Sequence, residues 1–328
     1  MNLRRRPLVA NAVALMVAPR MAFSQPTGKV WQIGSLTLYP RPLPPQPPSP
    51  IFDASDLEMR RQGFAEGQVV VHERNWGGKP ELLAAMTREL VGLRIDVLIA
   101  HDNLSALAAK QVAGSIPVLF TAVTDPVGKG LVQSLARPGG NMTGTTFDVE
   151  PAMYGKYVAL LKQISPSLSR VAVLFDVSGT AGFEHLLDAA KGLGVDVRTL
   201  PIRAEKDYAA AFAAMKEQHV DGILVGGVVN FVHRNRVVAL AAENRLPALY
   251  VAYLYSIAGG LITYHPDTID MARRSAAQLA KILKGAKPSD IPVEQPTKFR
   301  LVINLTAAKA LGLSVPQSLL LRADEVIQ

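Results

Sequence analysis

Arg94-Ile95-Asp96-Val97-Leu98-Ile99-Ala100-His101-Asp102-Asn103 is the stretch on which the fold turns, because most of it returns later as His219-Val220-Asp221-Gly222-Ile223-Leu224. Val97–Ala100 is apolar without alternation. A run this short and continuous suits a strand buried on both faces, as in a parallel sheet covered by helices. Polar His101-Asp102-Asn103 then gives way to Leu104–Ala113, whose apolar spacing is helical. A strand, a polar turn and a helix, occurring twice, predict two similarly wound α/β units.

Three further pairs keep the same order in both halves. Lys29-Val30-Trp31-Gln32-Ile33 parallels Arg170-Val171-Ala172-Val173-Leu174. Ser115-Ile116-Pro117-Val118-Leu119-Phe120 parallels Arg245-Leu246-Pro247-Ala248-Leu249-Tyr250, and Asn141-Met142-Thr143-Gly144-Thr145 parallels Ala258-Gly259-Gly260-Leu261-Ile262. Each unit exceeds 100 residues, so the reading is two lobes and not a solenoid. Their boundary is expected near Asp148–Pro151. Further strands are expected at Val69–Glu73, Asp196–Leu200 and Leu301–Asn304. Amphipathic helices are expected at Pro80–Leu93, Tyr154–Ile164, Phe183–Leu193, Tyr208–Gln218 and Ile269–Lys284. The expected class is α/β, with two doubly wound parallel-sheet lobes and a ligand cleft between them.

Composition narrows the function. The chain has 328 residues, 49% hydrophobic and 19% charged, which excludes a disordered polymer. With no cysteine there is no disulfide framework, no thiolate metal site and no lipid-modified cysteine anchor. The net charge of +8 hints at nucleic acid, but Arg4, Arg5, Arg6 and Arg20 all precede position 25. These arginines, the short apolar run Leu8–Ala18 and Ala22-Phe23-Ser24 form the three regions of a secretory signal peptide over residues 1–24. Without that segment 31 basic residues face 27 acidic ones, and the nucleic-acid reading loses its support. The apolar run is about half the length of a membrane-spanning helix. Pro40–Pro50 holds seven prolines and is expected to be an extended loop over the cleft mouth or a partner-binding segment.

Catalytic patterns are missing from the sequence: no phosphate-binding G-x-x-x-x-G-K-[ST], no G-x-S-x-G and no H-E-x-x-H. The six histidines lack metal-ligand spacing. No cofactor and no metal are expected. What remains is a series of polar and aromatic residues just after strands, where open α/β sheets bind ligands. In the first unit these are Ser35, Thr37, His101-Asp102-Asn103, Thr124-Asp125 and Thr146-Phe147. In the second they are Asp176, Ser178, Asn230-Phe231, Tyr253 and Tyr264. Helices starting near Asn103 and Pro126 would offer N–H groups to an anion. Asp125 before Pro126 equally has the form of a helix cap, and Asp102 or Asn103 that of a cap for the following helix.

Several longer stretches carry a family resemblance. Ile116-Pro117-Val118-Leu119-Phe120 leads to Asp125-Pro126-Val127 and Gly130-Leu131-Val132. Ser134-Leu135-Ala136-Arg137-Pro138-Gly139-Gly140-Asn141-Met142-Thr143-Gly144 follows. Ala258-Gly259-Gly260-Leu261-Ile262-Thr263-Tyr264 and the tail Leu313–Ile327 complete the set. From about Lys29 to Gln328 the chain resembles the substrate-binding proteins of ABC transporters, with a type I periplasmic-binding-protein-like fold. The resemblance implies lobe closure on a small solute and docking on an inner-membrane permease. It also implies repeated crossing between lobes: residues 29–148 form lobe 1, joined by 265–288, and residues 149–264 form lobe 2, joined by 289–328. Carried over by position, Asn103, Ser105, Thr124, Asp125, Thr146, Phe147 and Tyr264 are the implied contacts. The Pro-rich insertion and a shortened helix near Asp53–Glu66 depart from the family pattern, as does the His101-Asp102-Asn103 turn.

The expectation is therefore a non-enzymatic periplasmic carrier of an amino acid or an aromatic or carboxylate solute, without nucleic acid and without stable membrane insertion. Its contacts are Asn103, Ser105, Thr124, Asp125, Thr146, Phe147, Asn230, Tyr253 and Tyr264. The alternatives are a sensory module of the same fold and an exported α/β enzyme.

Overall fold

The computed structural model describes residues 29–41, 49–149, 151–176 and 183–328. Residues 1–24, most of the Pro-rich stretch and Ser178 lie outside the described residues. The first lobe runs β1 (Trp31–Thr37), α1 (Pro50–Arg61), β2 (Val69–Asn75), α2 (Leu83–Gly92), β3 (Val97–Ala100), α3 (Asn103–Val112), β4 (Val118–Val123) and β5 (Met142–Thr146). The second runs α4 (Pro151–Ile164), β6 (Arg170–Asp176), α5 (Phe183–Gly192), β7 (Asp196–Ile202), α6 (Asp207–Glu217), β8 (Gly222–Val225), α7 (Val228–Val232), α8 (Arg234–Glu243), β9 (Ala248–Tyr250), α9 (Leu254–Ile257) and β10 (Ile262–Pro266). After α10 (Thr268–Leu283) come β11 (Phe299–Asn304), α11 (Leu305–Ala310), α12 (Gln317–Leu320) and β12 (Glu325–Ile327).

The strand order is β2-β1-β3-β4-β5 in one sheet and β12-β11-β10-β9-β8-β6-β7 in the other. Read from β7 to β10, the second sheet repeats the first strand for strand. The sheets are doubly wound, and their apolar strands are buried on both faces. Leu36, Leu98 and Phe120 pack toward α2 and α3, while Ile33, Val97 and Leu119 pack toward α1 and α10. One part of the second sheet departs from the parallel expectation. β11 runs antiparallel to β10, and β12 then pairs parallel with β11.

α10 illustrates how the pattern places an element. Met271, Ser275, Gln278, Leu279, Ile282 and Leu283 are buried along one stripe, and Asp267 caps the helix by accepting from the N–H groups of Ile269 and Asp270. The stripe lies on α1, β4 and β5 of the first lobe. Full burial of a side chain such as Leu or Ile contributes roughly 1.5–3 kcal/mol. The chain thus crosses between lobes three times: after β5, after β10 and before β11. Thr146 N–H donates to Glu294 O, Asp267 N–H to Lys298 O, and Asp270 holds both Arg274 and Lys298.

The register corrects two of the four sequence pairings. Ile33 pairs with Val97 as Val171 pairs with Gly222, so Arg170 corresponds to Gln32 and not to Lys29. Val118 pairs with Met142, and Leu249 with Ile262, which sets Met142 against Leu261 and not Gly259. The two central pairings keep their register. The physical anchors are shared: Asp96 accepts from Gln32 N–H as Asp221 accepts from Arg170 N–H.

Candidate functional site

Parallel strands of one sheet all end on the same side, and the loops at those ends meet across the lobes. Tyr39, after β1, hydrogen-bonds Arg234 and the Val232 carbonyl beyond β8. Val228 packs onto the apolar cluster of the first lobe. The space between these strand ends is the cleft.

The wall given by the first lobe is polar. His101 stands between Ser35 Oγ, 3.1 Å from Nε2, and Thr121 Oγ1, 3.1 Å from Nδ1. Burial holds its pKa down to about 4, so the ring is neutral near pH 7 and carries one donor and one acceptor. Asp102 caps α3: Oδ1 accepts from Ser105 N–H at 2.8 Å, and Oδ2 accepts from Ser105 Oγ at 2.8 Å and Trp76 Nε1 at 3.2 Å. Burial raises the Asp102 pKa, and these donors oppose the rise. Asn103 and Thr124 hold each other, with Nδ2 donating to Oγ1 and Thr124 N–H donating to Oδ1, each at 2.9 Å. Lys129 Nζ donates to Thr124 O at 2.7 Å.

Residues 126–130 form a turn and not the expected helix. Asp125 Oδ1 accepts from Gly128 N–H at 2.8 Å, which closes a capping turn without a helix behind it. Asp125 itself has φ +48°, and its N–H donates to both oxygens of Asp148 at 2.8 Å. Asp148 lies on the first crossing, where its own N–H donates to Thr146 Oγ1. Burial raises the Asp148 pKa.

The second lobe presents a different wall. Gly226 occupies the place of His101: its N–H donates to Leu174 O as His101 N–H donates to Leu36 O. A side chain at Gly226 would meet the Phe175 ring at 2.7 Å and Val251 at 2.9 Å. Tyr253 lies 5.9 Å from the His265 ring. His265 is buried and Nδ1 sits 2.8 Å from Pro266 O, so that nitrogen carries the proton. Burial lowers its pKa.

Among the nine expected contacts, Thr124, Asp125, Phe147 and Tyr253 keep partial exposure, whereas Asn103, Ser105, Thr146, Asn230 and Tyr264 are buried. Ser105 gives its N–H and hydroxyl to Asp102, so an incoming carboxylate does not find that N–H free. Asn230 accepts from Tyr208 Oη and donates to Leu174 O and Gly226 O. Tyr264 is stacked on Phe299 at 5.5 Å, edge-on to Tyr157 at 6.0 Å, and bonded through its hydroxyl to Lys156. Sequence reading did not find Thr121, Asp148 or Tyr39. Thr121 becomes visible only once β4 is set beside β3, and the other two only once the crossings are known. Among the described residues no cluster of His, Asp and Glu could hold a metal ion, and no helix is long and apolar enough to cross a membrane.

A family model described as ABC transporter substrate binding protein matches residues 58–327. The tyrosine-binding protein of Clostridioides difficile (strain R20291) is 27% identical over 260 residues, spanning 78% of this chain and 74% of that protein. Among solved structures, the ABC domain in complex with L-Trp from Streptococcus pneumonia is 27% identical with TM-score 0.81, covering 90% of this chain and 99% of its own. A conserved domain protein from Vibrio cholerae is 26% identical with TM-score 0.80, covering 91% and 100%.

Proposed function

The chain belongs to the ABC transporter substrate-binding proteins, and from that premise we propose that it captures an aromatic amino acid between its lobes and delivers it to the permease of an ABC importer. One observation carries the choice of solute: nine-tenths of the chain matches, at TM-score 0.81, a structure that holds L-Trp. The tyrosine-binding relative supports the same class. The export segment read at residues 1–24 supports a periplasmic site of action.

The partly exposed residues at the strand ends supply fitting chemistry. Thr124 and Asp125 offer hydroxyl and carboxylate groups for the ligand's polar end, and Asp125 pairs with an ammonium. Phe147 and Tyr253 offer ring faces to its flat apolar body. Asn103, Ser105, Thr146, Asn230 and Tyr264 act behind them, holding the loops in place. Closing the lobes removes the solute from water, and the difference in affinity between closed and open states drives the motion.

A thermal-shift series tests this. L-Trp, L-Tyr and L-Phe are compared with aliphatic amino acids and sugars; a ligand at a hundred times its Kd stabilises the fold by about 2.7 kcal/mol. The expected result is stabilisation by at least one aromatic amino acid and none by sugars. No shift with any aromatic amino acid overturns the proposed solute class. Uptake of the stabilising solute by cells with and without the gene then tests delivery.

A further inference from the structure

Tyr39 follows β1 by two residues, and α7 with Arg234 just beyond it follows β8. β1 is three strands from β5, where the chain first crosses, and β8 is two strands from β10, where it crosses again. At about 4.8 Å per strand, β1 lies about 14 Å from the crossing edge. The two segments nevertheless touch. Arg234 Nη1 donates to Tyr39 Oη at 3.1 Å and to Phe231 O at 3.3 Å. The Tyr39 hydroxyl faces Val232 O at 3.5 Å. The Tyr39 and Phe231 rings lie 6.2 Å apart, with the guanidinium 5.3 Å from one centroid and 5.6 Å from the other.

A second contact lies beside it. Gly78, with φ +79°, sits so near α7 that a Cβ there would stand 3.0 Å from Val232. Both contacts join lobe to lobe on the side away from the crossings. Rotation about the crossings displaces this side most, so these hydrogen bonds exist only while the lobes are together.

We propose that Tyr39, Phe231 and Arg234 form a clasp that holds the cleft closed and raises ligand affinity without touching the ligand. The proposal rests on the reading that the solute is bound between the lobes. The clasp acts through the population of the closed state, because apparent affinity scales with the fraction of molecules already competent to bind. It therefore slows release of every ligand by the same factor, unlike a residue of the cleft wall, which discriminates among ligands. Phe231 and Arg234 both belong to the second lobe, so one exposed cation–π contact and one charge-assisted hydrogen bond, both between Arg234 and Tyr39, are lost on opening. Together they correspond to about a three- to tenfold effect.

The test uses the full chain, which has no native cysteine. Spin labels at L57C on α1 and L321C beyond α12, both exposed in the wild type, report the distance between lobes. Dissociation rates are measured with L-Trp and L-Tyr. Arg234→Ala is expected to speed release of both about three- to tenfold and to lengthen the label distance in ligand-free protein. Arg234→Lys, which keeps the charge but loses the planar fork, is expected to fall between. Tyr39→Phe removes the hydroxyl alone and is expected to show a smaller change in the same direction. Equal release rates and equal label distances in Arg234→Ala and wild type overturn the clasp, as does an effect confined to one ligand. If wild-type protein binds neither amino acid, the proposed solute fails, and the ligand-free label distances still decide the clasp.

Discussion

The turn after β3 and the turn after β8 occupy the same place in the two lobes and do different things. In the first lobe it reads His101-Asp102-Asn103. The imidazole joins two hydroxyls, and the aspartate caps a helix of ten residues. In the second it reads Gly226-Gly227-Val228, with Gly227 at φ +91° and no side-chain cap on a helix of five residues. Ser35 and Thr121 beside His101 correspond to Val173 and Val251 beside Gly226. One repeat thus ties its strand ends together with hydrogen bonds, and the other packs them through apolar side chains, Val173 and Val251 belonging to one core cluster.

The sharpest contrast lies one strand further on. Gly144 in β5 corresponds to Thr263 in β10, since Phe120 pairs with Gly144 as Tyr250 does with Thr263. β4 carries a bulge between Phe120 and Val123, with Ala122 at φ +57°, and the Phe120 carbonyl would stand 1.8 Å from a Cβ at Gly144. Gly144→Ala is therefore expected to cost more than about 4 kcal/mol and to unfold the first lobe. Urea unfolding followed by fluorescence measures it. A loss under about 1 kcal/mol would show that the bulge yields and that the two lobes are less different than they look.

The caps come next. Asp102→Ala leaves the Trp76 indole N–H and the Ser105 hydroxyl buried without their acceptor, in addition to removing a helix cap. The expected loss is about 3 kcal/mol, again read from urea midpoints. The corresponding Gly227 has no side chain to lose, so the second lobe should show no equivalent sensitivity at that place.

His101 makes the contrast depend on pH. Its pKa is lowered to about 4 in the fold, against 6.5 for a free histidine. Between those values the unfolded chain binds the proton that the folded chain refuses, so stability falls as pH drops from about 6.5 to 4 and the loss levels off below that. The cost reaches about 2 kcal/mol, given the residual contact with solvent. Comparing Tm against pH for wild type and His101→Gln isolates it: the variant should lack this slope. Parallel slopes would mean that the ring is open to protonation in the fold.

Much of this contrast was legible in the sequence, and its limits have physical causes. Asp96 and Asp221, with Pro117 and Pro247, mark where strands begin, so the central pairings of the repeat kept their register. The outer pairings had no such marker: Val30–Ile33 against Val171–Leu174 is a mostly apolar run, which slides, and Asn141–Thr145 shares no residue position for position with Ala258–Ile262; they slipped by three and two residues. Strand-end residues were identifiable from polarity after an apolar run, but their partners were not. Asn230 stands out in the sequence as a polar residue after a strand, but nothing there shows that the Tyr208 hydroxyl and two carbonyls surround it. Nor does the sequence show that Phe299 and Tyr157 pack against Tyr264. The antiparallel β11 and the short β12 depend on the third crossing, which local pattern does not encode. Asp125-Pro126 has the form of a helix start, yet Gly128 and Gly130 close a turn instead.

The smallest expected effect tests the second lobe against its own chemistry. Thr263 is fully buried, and its hydroxyl finds no hydrogen-bond partner among the described residues. The corresponding Gly144 has no side chain, and the neighbouring Thr143 and Thr145 hydroxyls both have partners, Ile291 O and Ser275 Oγ. An orphaned hydroxyl forfeits its bonds to water on folding and regains nothing, whereas a methyl of the same shape forfeits none. Thr263→Val keeps the β-branched shape that suits a strand and removes that cost. The expected outcome is a gain of about 1 kcal/mol, read as a higher urea midpoint at unchanged m-value. A loss of similar size would instead mean that the hydroxyl is engaged in the folded protein. Like its first-lobe neighbours, this wall would then hold a polar contact.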